Sequence, residues 1–384
     1  MSELRFLTAG ESHGPCLTAI LEGLPAGLAL DIEAINRDLA RRQQGYGRGG
    51  RMKIEKDKAE ILSGVRFGET LGGPITLRVV NRDFANWTDR MAAFGAPSGE
   101  PVTAARPGHA DLTGCKKYAR SDIRDILERS SARETTMRVA VGALCKEFLR
   151  SLGIDVVSHV TKIGGVAVNP DHIDVMSIGR TESELNCCDA EAEERMKARI
   201  REAMAAGDTL GGTFEVIVRG VPVGLGSHIQ WDRRLDARLA GAMMSIQAIK
   251  GVEIGAGFRY ADQPGSAMHD EMYIEGTHVY RRTNNAGGLE GGMTNGEPVV
   301  VRAVMKPIPT LMQPLHSIDI ASKKPVLACK ERSDACAVSA ASVVGEAMTA
   351  FVIAQAIIEK FGGDAMVDVR TALSTYNERV EKDW

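Results

Sequence analysis

Two stretches of the sequence repeat one pattern, Gly23-Leu24-Pro25-Ala26-Gly27-Leu28 and, far along the chain, Gly220-Val221-Pro222-Val223-Gly224-Leu225. Each stretch follows a run of strand character and precedes a run with apolar residues at helical spacing. The strand-like runs are residues 16–21 and 213–218, and the helices are predicted over 31–43 and through Leu235, Leu239 and Met243. A recurring strand–turn–helix unit predicts an internal duplication. Chance reuse of Pro and Gly in turns is the alternative explanation.

A long helix is predicted between the two repeats, over about 131–152. Ser131 and Glu134 have the spacing of a capping box at its start, and Gly153 stands where a C-cap would end it. Its apolar residues recur at helical spacing, so one face is expected to be buried.

Two more helices follow in the second half. Residues 182–206 predict a charged amphipathic helix at the surface. The last major helix is predicted to begin near Asp334 or Ala335 and to end at 362–363, and it is apolar almost all round, as in a buried or interface helix. No Ser- or Pro-rich linker interrupts the chain, so we expect one domain.

The composition excludes several classes of protein. The 384 residues carry a net charge of −3 and 5% aromatic residues, which disfavours nucleic-acid binding. Seven scattered cysteines without a C-x-x-C pair indicate reduced thiols in the cytoplasm, with no disulfide framework and no metal site. No signal peptide is recognised, and the most apolar stretch, 347–358, is expected to be too short to span a membrane.

Two histidines beside glycines are the first candidates for chemistry. His13 lies in Gly10-Glu11-Ser12-His13-Gly14, and His109 follows Pro107-Gly108. Glycine lets a ligand approach the backbone closely, and histidine titrates near neutral pH. Asp111, two residues beyond His109, is placed to orient that ring. A lone loop histidine is more often structural, but two of them favour a proton-transfer site.

The stretch Gly45-Tyr46-Gly47-Arg48-Gly49-Gly50 matches the dinucleotide fingerprint G-x-G-x-x-G in the wrong context. That fingerprint needs a strand before it and a helix after it, whereas here a helix precedes and the strand-like runs 53–55 and 60–62 follow. What remains is a glycine-rich loop that suits a mobile lid over an anionic substrate. A solvated basic surface, or RNA binding through it, is the alternative. The cations of the loop are Arg41, Arg42, Arg48, Arg51 and Lys53.

Cations also gather where two helices are predicted to begin. Residues 129–134 (RSSARE) combine helix N–H groups, hydroxyls and two guanidiniums, as a phosphate or carboxylate site requires. Residues 331–334 (ERSD) repeat this arrangement, and Asp334 is either an N-cap or a functional carboxylate. Lys306-Pro307-Ile308-Pro309-Thr310 is a rigid extended segment that, with 284–292, is predicted to wall a flat ligand.

Taken together, these segments resemble the chorismate synthase family over essentially the whole chain. They occur in the family's order, and several are too long for coincidence. The segments are GESHG at 10–14, RRQQGYGRGGRM at 41–52, RPGHAD at 106–111, RSSARET at 129–135, MSIQAIKGVEIG at 244–255, NNAGGLEGG at 284–292, KPIPT at 306–310 and RSDAC at 332–336.

The resemblance implies a lyase that converts 5-enolpyruvylshikimate 3-phosphate into chorismate and phosphate, the last step of the shikimate pathway. The reaction is a 1,4-anti-elimination without net redox change, yet the family requires reduced FMN. NADPH is a candidate reductant for that flavin, supplied by this chain or by a separate flavin reductase. A flavin-linked NAD(P)H oxidoreductase is the alternative enzyme.

Residue roles carry over from the family position by position. His13 matches the acid toward the departing phosphate, His109 the histidine that protonates the reduced flavin, and Asp334 a carboxylate that relays a proton at flavin N5. The positions that match flavin contacts are Arg129, Ser130, Ser131, Gln247, Ala248, Gly291, Lys306, Pro307, Ile308, Pro309, Thr310 and Arg332. The substrate candidates are Ser12, Arg42, Arg48, Arg133 and Arg332, of which Arg42 and Arg48 match positions assigned to NADP.

The family's fold is α+β, with internally duplicated β-α-β units and antiparallel sheets sandwiched with helices. The resemblance therefore implies one domain over 1–384 with a pseudo-repeat of about 4–150 and 210–360, assembled as a homotetramer. Residues 86–105 carry extra length near His109 in sequence, as in the longer members of the family.

Overall fold

The computed structural model describes residues 4–49, 54–174, 176–180, 182–276, 278–329 and 334–383. Its helices include two that are long and central, α4 and α8. In chain order the helices are α1 (Ile32–Gln43), α2 (Asp111–Tyr118), α3 (Arg124–Ser130), α4 (Thr135–Arg150), α5 (Ala190–Ala205), α6 (Leu235–Met244), α7 (Gly265–Met268), α8 (Val338–Phe361) and α9 (Met366–Asp383). Short 3₁₀ helices cover Arg82–Asn86, Ala132–Glu134, Pro170–His172, Trp231–Arg233 and Gly257–Ala261.

The strands fall into two larger sheets and several hairpins. They are β1 (Arg5–Ala9), β2 (Cys16–Glu22), β3 (Glu60–Ile61), β4 (Val65–Arg66), β5 (Glu69–Thr70), β6 (Ile75–Val80), β7 (Asp155–Ile163), β8 (Val166–Ala167), β9 (Gly212–Arg219), β10 (Ile249–Ile254), β11 (Met272–Glu275), β12 (His278–Arg281), β13 (Leu289–Glu290), β14 (Met293–Thr294), β15 (Val299–Met305), β16 (His316–Ile318) and β17 (Pro325–Leu327).

The two larger sheets have the same strand order. The first runs β1-β2-β6-β3, and the second runs β7-β9-β15-β10, with the short strand β8 added outside β7. Every pairing in both sheets is antiparallel. The predicted α+β fold with duplicated units is confirmed. We infer that the second unit starts with β7 at Asp155, ahead of the boundary expected near 210.

The repeated Pro-x-Gly-Leu turn is held by the same hydrogen bonds in both units. In the first, Thr70 Oγ1 donates to the carbonyl of Pro25 (2.6 Å) and accepts from the backbone N–H of Leu28 (2.9 Å). In the second, Thr294 Oγ1 donates to the Pro222 carbonyl (2.6 Å) in the same way. Gly27 and Gly224 have φ values of +81° and +80°, a backbone conformation that glycine adopts at no steric cost. This shared chemistry is why the pattern recurs.

The core consists of helices packed between the two sheets. Helix α4 packs on β1, β2 and β6, helix α8 packs on β7 and β9, and the two helices pack on each other. A Cβ added at Gly142 of α4 would lie 2.3 Å from the Cβ of Ala347, and one at Gly345 of α8 would lie 2.6 Å from the Phe214 ring. Small residues therefore allow the close approach of the layers, and the predicted sandwich is confirmed.

The start of the long helix differs from the prediction. The 3₁₀ turn Ala132–Glu134 precedes α4, and Ser131 Oγ accepts from the backbone N–H of Arg133 (3.2 Å). Glu134 does not close a capping box, because its carboxylate accepts from Thr8 Oγ1 (2.8 Å) in β1. Gly153 follows the end of α4 with φ +79°, as expected of a residue that ends a helix.

Three other boundaries were predicted wrongly. Helix α5 begins only at Ala190, because Asp189 is its N-cap and accepts from the N–H of Ala192 (3.1 Å). Helix α8 begins at Val338, because the backbone of Ala335 instead pairs with neighbouring segments. The strand expected at 53–55 is not present in its described part, 54–55, whereas β3 lies where 60–62 was predicted.

Helix α8 is longer than the apolar stretch noted in the sequence. Its 24 residues are long and apolar enough to cross a membrane by length and composition, which corrects the expectation drawn from 347–358. However, 94% of its most apolar window is buried inside the protein. Such burial is typical of a core helix.

Candidate active site

His13 is held by a carboxylate that sequence reasoning missed. The chain turns sharply between β1 and β2 at Gly10 (φ +109°), where an added Cβ would lie 2.5 Å from the Cys16 carbonyl oxygen. Glu128 of α3 accepts from the His13 backbone N–H (2.8 Å) and lies 2.9 Å from Nδ1 of the ring. Burial of Glu128 opposes ionisation, but the hydrogen bonds and charge of His13 hold the pKa of this carboxyl below its ordinary value.

The insertion at 86–105 contributes directly to this region. The Trp87 ring lies against the His13 imidazole, with ring centroids 4.1 Å apart. Residues of the insertion also line a cleft of about 1410 Å³. Glu11 and Glu128 border the cleft beside His13, and Ala110 borders it beside His109. The turns that carry the two histidines therefore face one cleft.

His109 is oriented by Asp111, as predicted. Its Nδ1 lies 2.5 Å from Oδ1 of Asp111, the fully buried first residue of α2. Arg106 Nε donates to the other carboxylate oxygen (2.9 Å). Although burial disfavours the charged carboxylate, hydrogen bonds from His109 and Arg106 hold the pKa of Asp111 well below its usual range. The aspartate is thus an ionised, fixed acceptor for the ring.

The Lys306–Thr310 segment meets the His109 turn. Lys306 Nζ donates to the Gly108 carbonyl, and Arg106 Nη1 donates to Thr310 Oγ1 (3.3 Å). The backbone N–H of Lys306 donates to the carbonyl of Ala248 (2.9 Å). Burial, with the nearby charge of Lys250, lowers the pKa of Lys306. Three segments far apart in sequence therefore converge beside His109.

Residues 284–288 do not join Lys306 in a common wall. The side chain of Asn284 donates to the Pro298 carbonyl (2.8 Å), at the start of β15, whereas Lys306 follows its end. Seven residues of strand separate the two by about 20 Å. Gly291 lies in the β13–β14 turn, where the nearest atoms to an added Cβ belong to His228 and Met293. The predicted pairing of these segments is wrong within this chain.

A second pocket, of about 480 Å³, lies between β1 and α4. Arg129 borders it and donates to the Thr8 carbonyl (2.8 Å). Gln247 borders it too, and its amide nitrogen donates to Glu134 (3.1 Å). The amide oxygen of Gln247 is buried and has no hydrogen-bond partner among the described residues. A buried acceptor of this kind is expected to meet a donor from a ligand or water.

Two of the predicted substrate arginines are buried in a charged cluster. Asp57 Oδ2 lies 2.7 Å from Nη1 of Arg133 and 3.5 Å from Nη1 of Arg42. Burial lowers the pKa of Arg42 to about 9. Arg133 also donates to Asn81 (2.9 Å), and 3% of its side chain is exposed. Its Nε and Nη1 serve internal partners, whereas Nη2 has no hydrogen-bond partner among the described residues. That Arg133 reaches the substrate therefore stays a prediction.

Asp334 belongs to the same part of the structure. Its carboxylate accepts from the backbone N–H of Gly49 (2.6 Å) and lies 3.2 Å from Nε of Arg48. The Gly47 carbonyl accepts from the N–H of Ala335 (2.8 Å). The described part of the glycine-rich loop therefore packs against residues 334–335, just before α8, and does not form an open lid. Arg51, Lys53 and Arg332 lie outside the described residues.

Comparison with known proteins identifies the family. Residues 4–358 match the family model described as chorismate synthase. The chain is 59% identical to a chorismate synthase of Geobacter sulfurreducens, over 98% of this chain and 99% of that protein. It is 58% identical to one of Syntrophotalea carbinolica, over the full length of both.

The chain belongs to the chorismate synthase family. A solved crystal structure of a chorismate synthase superposes with a TM-score of 0.79 at 47% identity, and 99% of each chain is covered. The family fold implied by the sequence is thus confirmed.

The family match contains every candidate site residue named above, from Ser12 to Asp334. Sequence reasoning missed Glu128, Trp87 and Glu134. A carboxylate one position before Arg129 was visible in the sequence, but nothing local distinguished it from an ordinary helix residue.

Proposed function

We propose that this member of the chorismate synthase family converts 5-enolpyruvylshikimate 3-phosphate into chorismate and phosphate. The observation that carries the proposal is its 59% identity, over nearly its whole length, to a chorismate synthase. The enzyme would be a lyase of aromatic amino-acid biosynthesis and catalyse the last step of the shikimate pathway.

His13 would serve as the acid toward the departing phosphate. Glu128 lies 2.9 Å from Nδ1, so we assign the transferred proton to Nε2 of the same ring. The buried carboxylate fixes Nδ1 and places a negative charge beside the ring. Ser12, which precedes it and is buried, would support the same turn beside the substrate.

His109 would hold a proton for the reduced flavin. Asp111 fixes its Nδ1, which again assigns Nε2 as the exchanging nitrogen. Lys306, tied to the neighbouring Gly108 carbonyl, places positive charge beside this ring.

The residues present fit a flavin cofactor, which we propose to be FMN. The unpartnered amide oxygen of Gln247 suits an N–H donor of a flavin ring. Arg129, which borders the same pocket, suits an anionic or hydrogen-bond-accepting group of the cofactor. Such a cofactor supplies electron density as the phosphate leaves. The further residues that would hold it are Ser130, Ser131, Ala248, Lys306, Pro307, Ile308, Pro309 and Thr310, with Gly291 and Arg332 retained from the family resemblance.

Arg42 and Arg48 would bind anionic groups of the substrate, with NADPH contact as the other role that the resemblance implies. A buried guanidinium with a lowered pKa is stabilised in its charged form by an arriving anion. Asp334 would act through Arg48 and the Gly49 amide, which it contacts, or relay a proton as the resemblance implies.

The assembly and surroundings of the enzyme also follow from the resemblance. We propose a cytoplasmic homotetramer that acts on a small molecule and whose flavin is reduced by NADPH on this chain or by a separate reductase. The scattered spacing of the seven cysteines, without a C-x-x-C pair, supports a reducing compartment.

One anaerobic assay tests the function. The protein is mixed with photoreduced FMN and substrate, with and without NADPH, and phosphate and chorismate are measured. We expect equal amounts of both products without net loss of NADPH. Stoichiometric NADPH consumption would instead identify the flavin-linked oxidoreductase. His13→Ala and His109→Ala should each lower turnover by about a hundredfold or more, and near-normal turnover in both would overturn these roles.

A further inference from the structure

Two side chains contact the imidazole of His13: the carboxylate of Glu128 and the ring of Trp87. The Trp87 ring lies against it at a centroid distance of 4.1 Å and an interplanar angle of 33°. The guanidinium carbon of Arg124 lies 4.8 Å from the Trp87 ring centroid. Arg124 Nη1 in turn donates to Glu128 Oε1 (2.9 Å), the same oxygen that meets His13 Nδ1. His13, Glu128, Arg124 and Trp87 thus form a closed ring of contacts.

Trp87 is fixed to the turn of His13 by its own stretch of chain. Asn81, at the end of β6, donates through its side-chain amide to the carbonyls of Glu11 (3.1 Å) and Gly14 (2.8 Å). Asn81 is the N-cap of the 3₁₀ helix Arg82–Asn86, and Trp87 is its C-cap. The indole N–H donates to Asp83 Oδ2 (3.3 Å) within that helix. The turn and the indole therefore share one anchor.

We propose that Trp87 is a positioning residue for His13, and that through it the insertion at 86–105 sets the orientation of the acid. The inference rests on the proposed role of His13. Contact with the indole restricts rotation of the imidazole about its Cβ–Cγ bond. The charged groups around the pair are Glu128, Arg124 and, through the indole N–H, Asp83.

A spectroscopic test needs no turnover. The chain has three tryptophans, Trp87, Trp231 and Trp384, so a Trp231→Phe/Trp384→Phe variant leaves Trp87 as the sole indole emitter. A protonated imidazole in contact quenches indole fluorescence, so emission should fall as His13 is protonated. Adding His13→Asn should abolish this pH dependence. A pH dependence that survives His13→Asn, or its absence in the parent variant, would overturn the contact. Because no substrate is used, these outcomes are independent of the proposed reaction.

Kinetics with photoreduced FMN then test the consequence of the contact. Trp87→Ala should lower kcat by about tenfold or more with KM changed less than about threefold, and Trp87→Phe should recover most of kcat. Phe94→Ala is the matched control, since Phe94 lies in the same segment with 94% of its surface exposed, and it should behave as wild type. Wild-type kcat in Trp87→Ala, or an equal loss in Phe94→Ala, would overturn the assignment. If the wild type itself made no chorismate, the proposed function would fail while the fluorescence result stood.

Discussion

Replacement of Glu128 by glutamine tests the support of His13 most directly. The carboxylate is 4% exposed and accepts from three groups: the His13 backbone N–H (2.8 Å), His13 Nδ1 (2.9 Å) and Arg124 Nη1 (2.9 Å). An amide of the same shape has one acceptor oxygen and an NH₂ group that would face a donor. At least one buried donor is therefore left without a partner, and the negative charge beside the ring is lost.

The size of the effect follows from these contacts. A hydrogen bond to a charged group contributes about 1.5–3 kcal/mol, which corresponds to about a ten- to hundredfold loss of rate if it acts in the transition state. We expect Glu128→Gln to lower kcat by that amount. The substitution also removes the negative charge beside the His13 ring, so we expect the pH profile of kcat to change.

The anaerobic assay of phosphate release measures this loss over a range of pH. Glu22→Gln is the matched control, because Glu22 pairs with Arg5 in an exposed ion pair at 2.8 Å and should leave kcat unchanged. Turnover of Glu128→Gln within about twofold of wild type, with an unaltered pH profile, would refute the assignment of Glu128 as the partner of the acid.

Four further substitutions probe the second histidine, the two repeated turns and the core. Asp111→Asn should lower kcat about ten- to hundredfold, because His109 loses the charged acceptor at Nδ1, and unchanged single-turnover rates would contradict this. Thr70→Val and Thr294→Val should each reduce the free energy of unfolding by about 1–3 kcal/mol in urea, since both hydroxyls make the same two bonds, and a loss at only one site would refute their equivalence. Glu346→Gln should reduce the free energy of unfolding by about 3–5 kcal/mol, because it breaks the ion pairs of this buried carboxylate with Arg41 and Lys146. Although burial opposes ionisation, those cations hold the Glu346 pKa below its ordinary value. The ionised carboxylate thus stabilises the fold fully above pH 4.5, and this stabilisation is lost as the pH falls through the lowered pKa. The free energies of unfolding of wild type and variant should therefore converge in acid.

Local chemistry explains what could be predicted of the fold. The Pro-x-Gly-Leu turns need a left-handed glycine, and the flanking strands and helices have their own periodicities, so the repeated unit was visible without coordinates. Helix starts were less predictable where a side chain had a distant partner. Glu134 has capping-box spacing from Ser131, but its carboxylate accepts from Thr8, 126 residues away.

The candidate site also has features that could be predicted from the sequence and features that could not. The sequence by itself determined the fold class, the family resemblance and the two histidines between or beside glycines, because each depends on short runs of residues. Only the tertiary structure decided that Glu128, 115 residues from His13, and Trp87, in the insertion, hold its ring, and that Arg133 pairs with Asp57. It also separated Asn284 from Lys306 by the length of β15. Contacts between distant segments leave no periodic signal in the sequence, since they arise only when sheet register and helix packing bring those segments together.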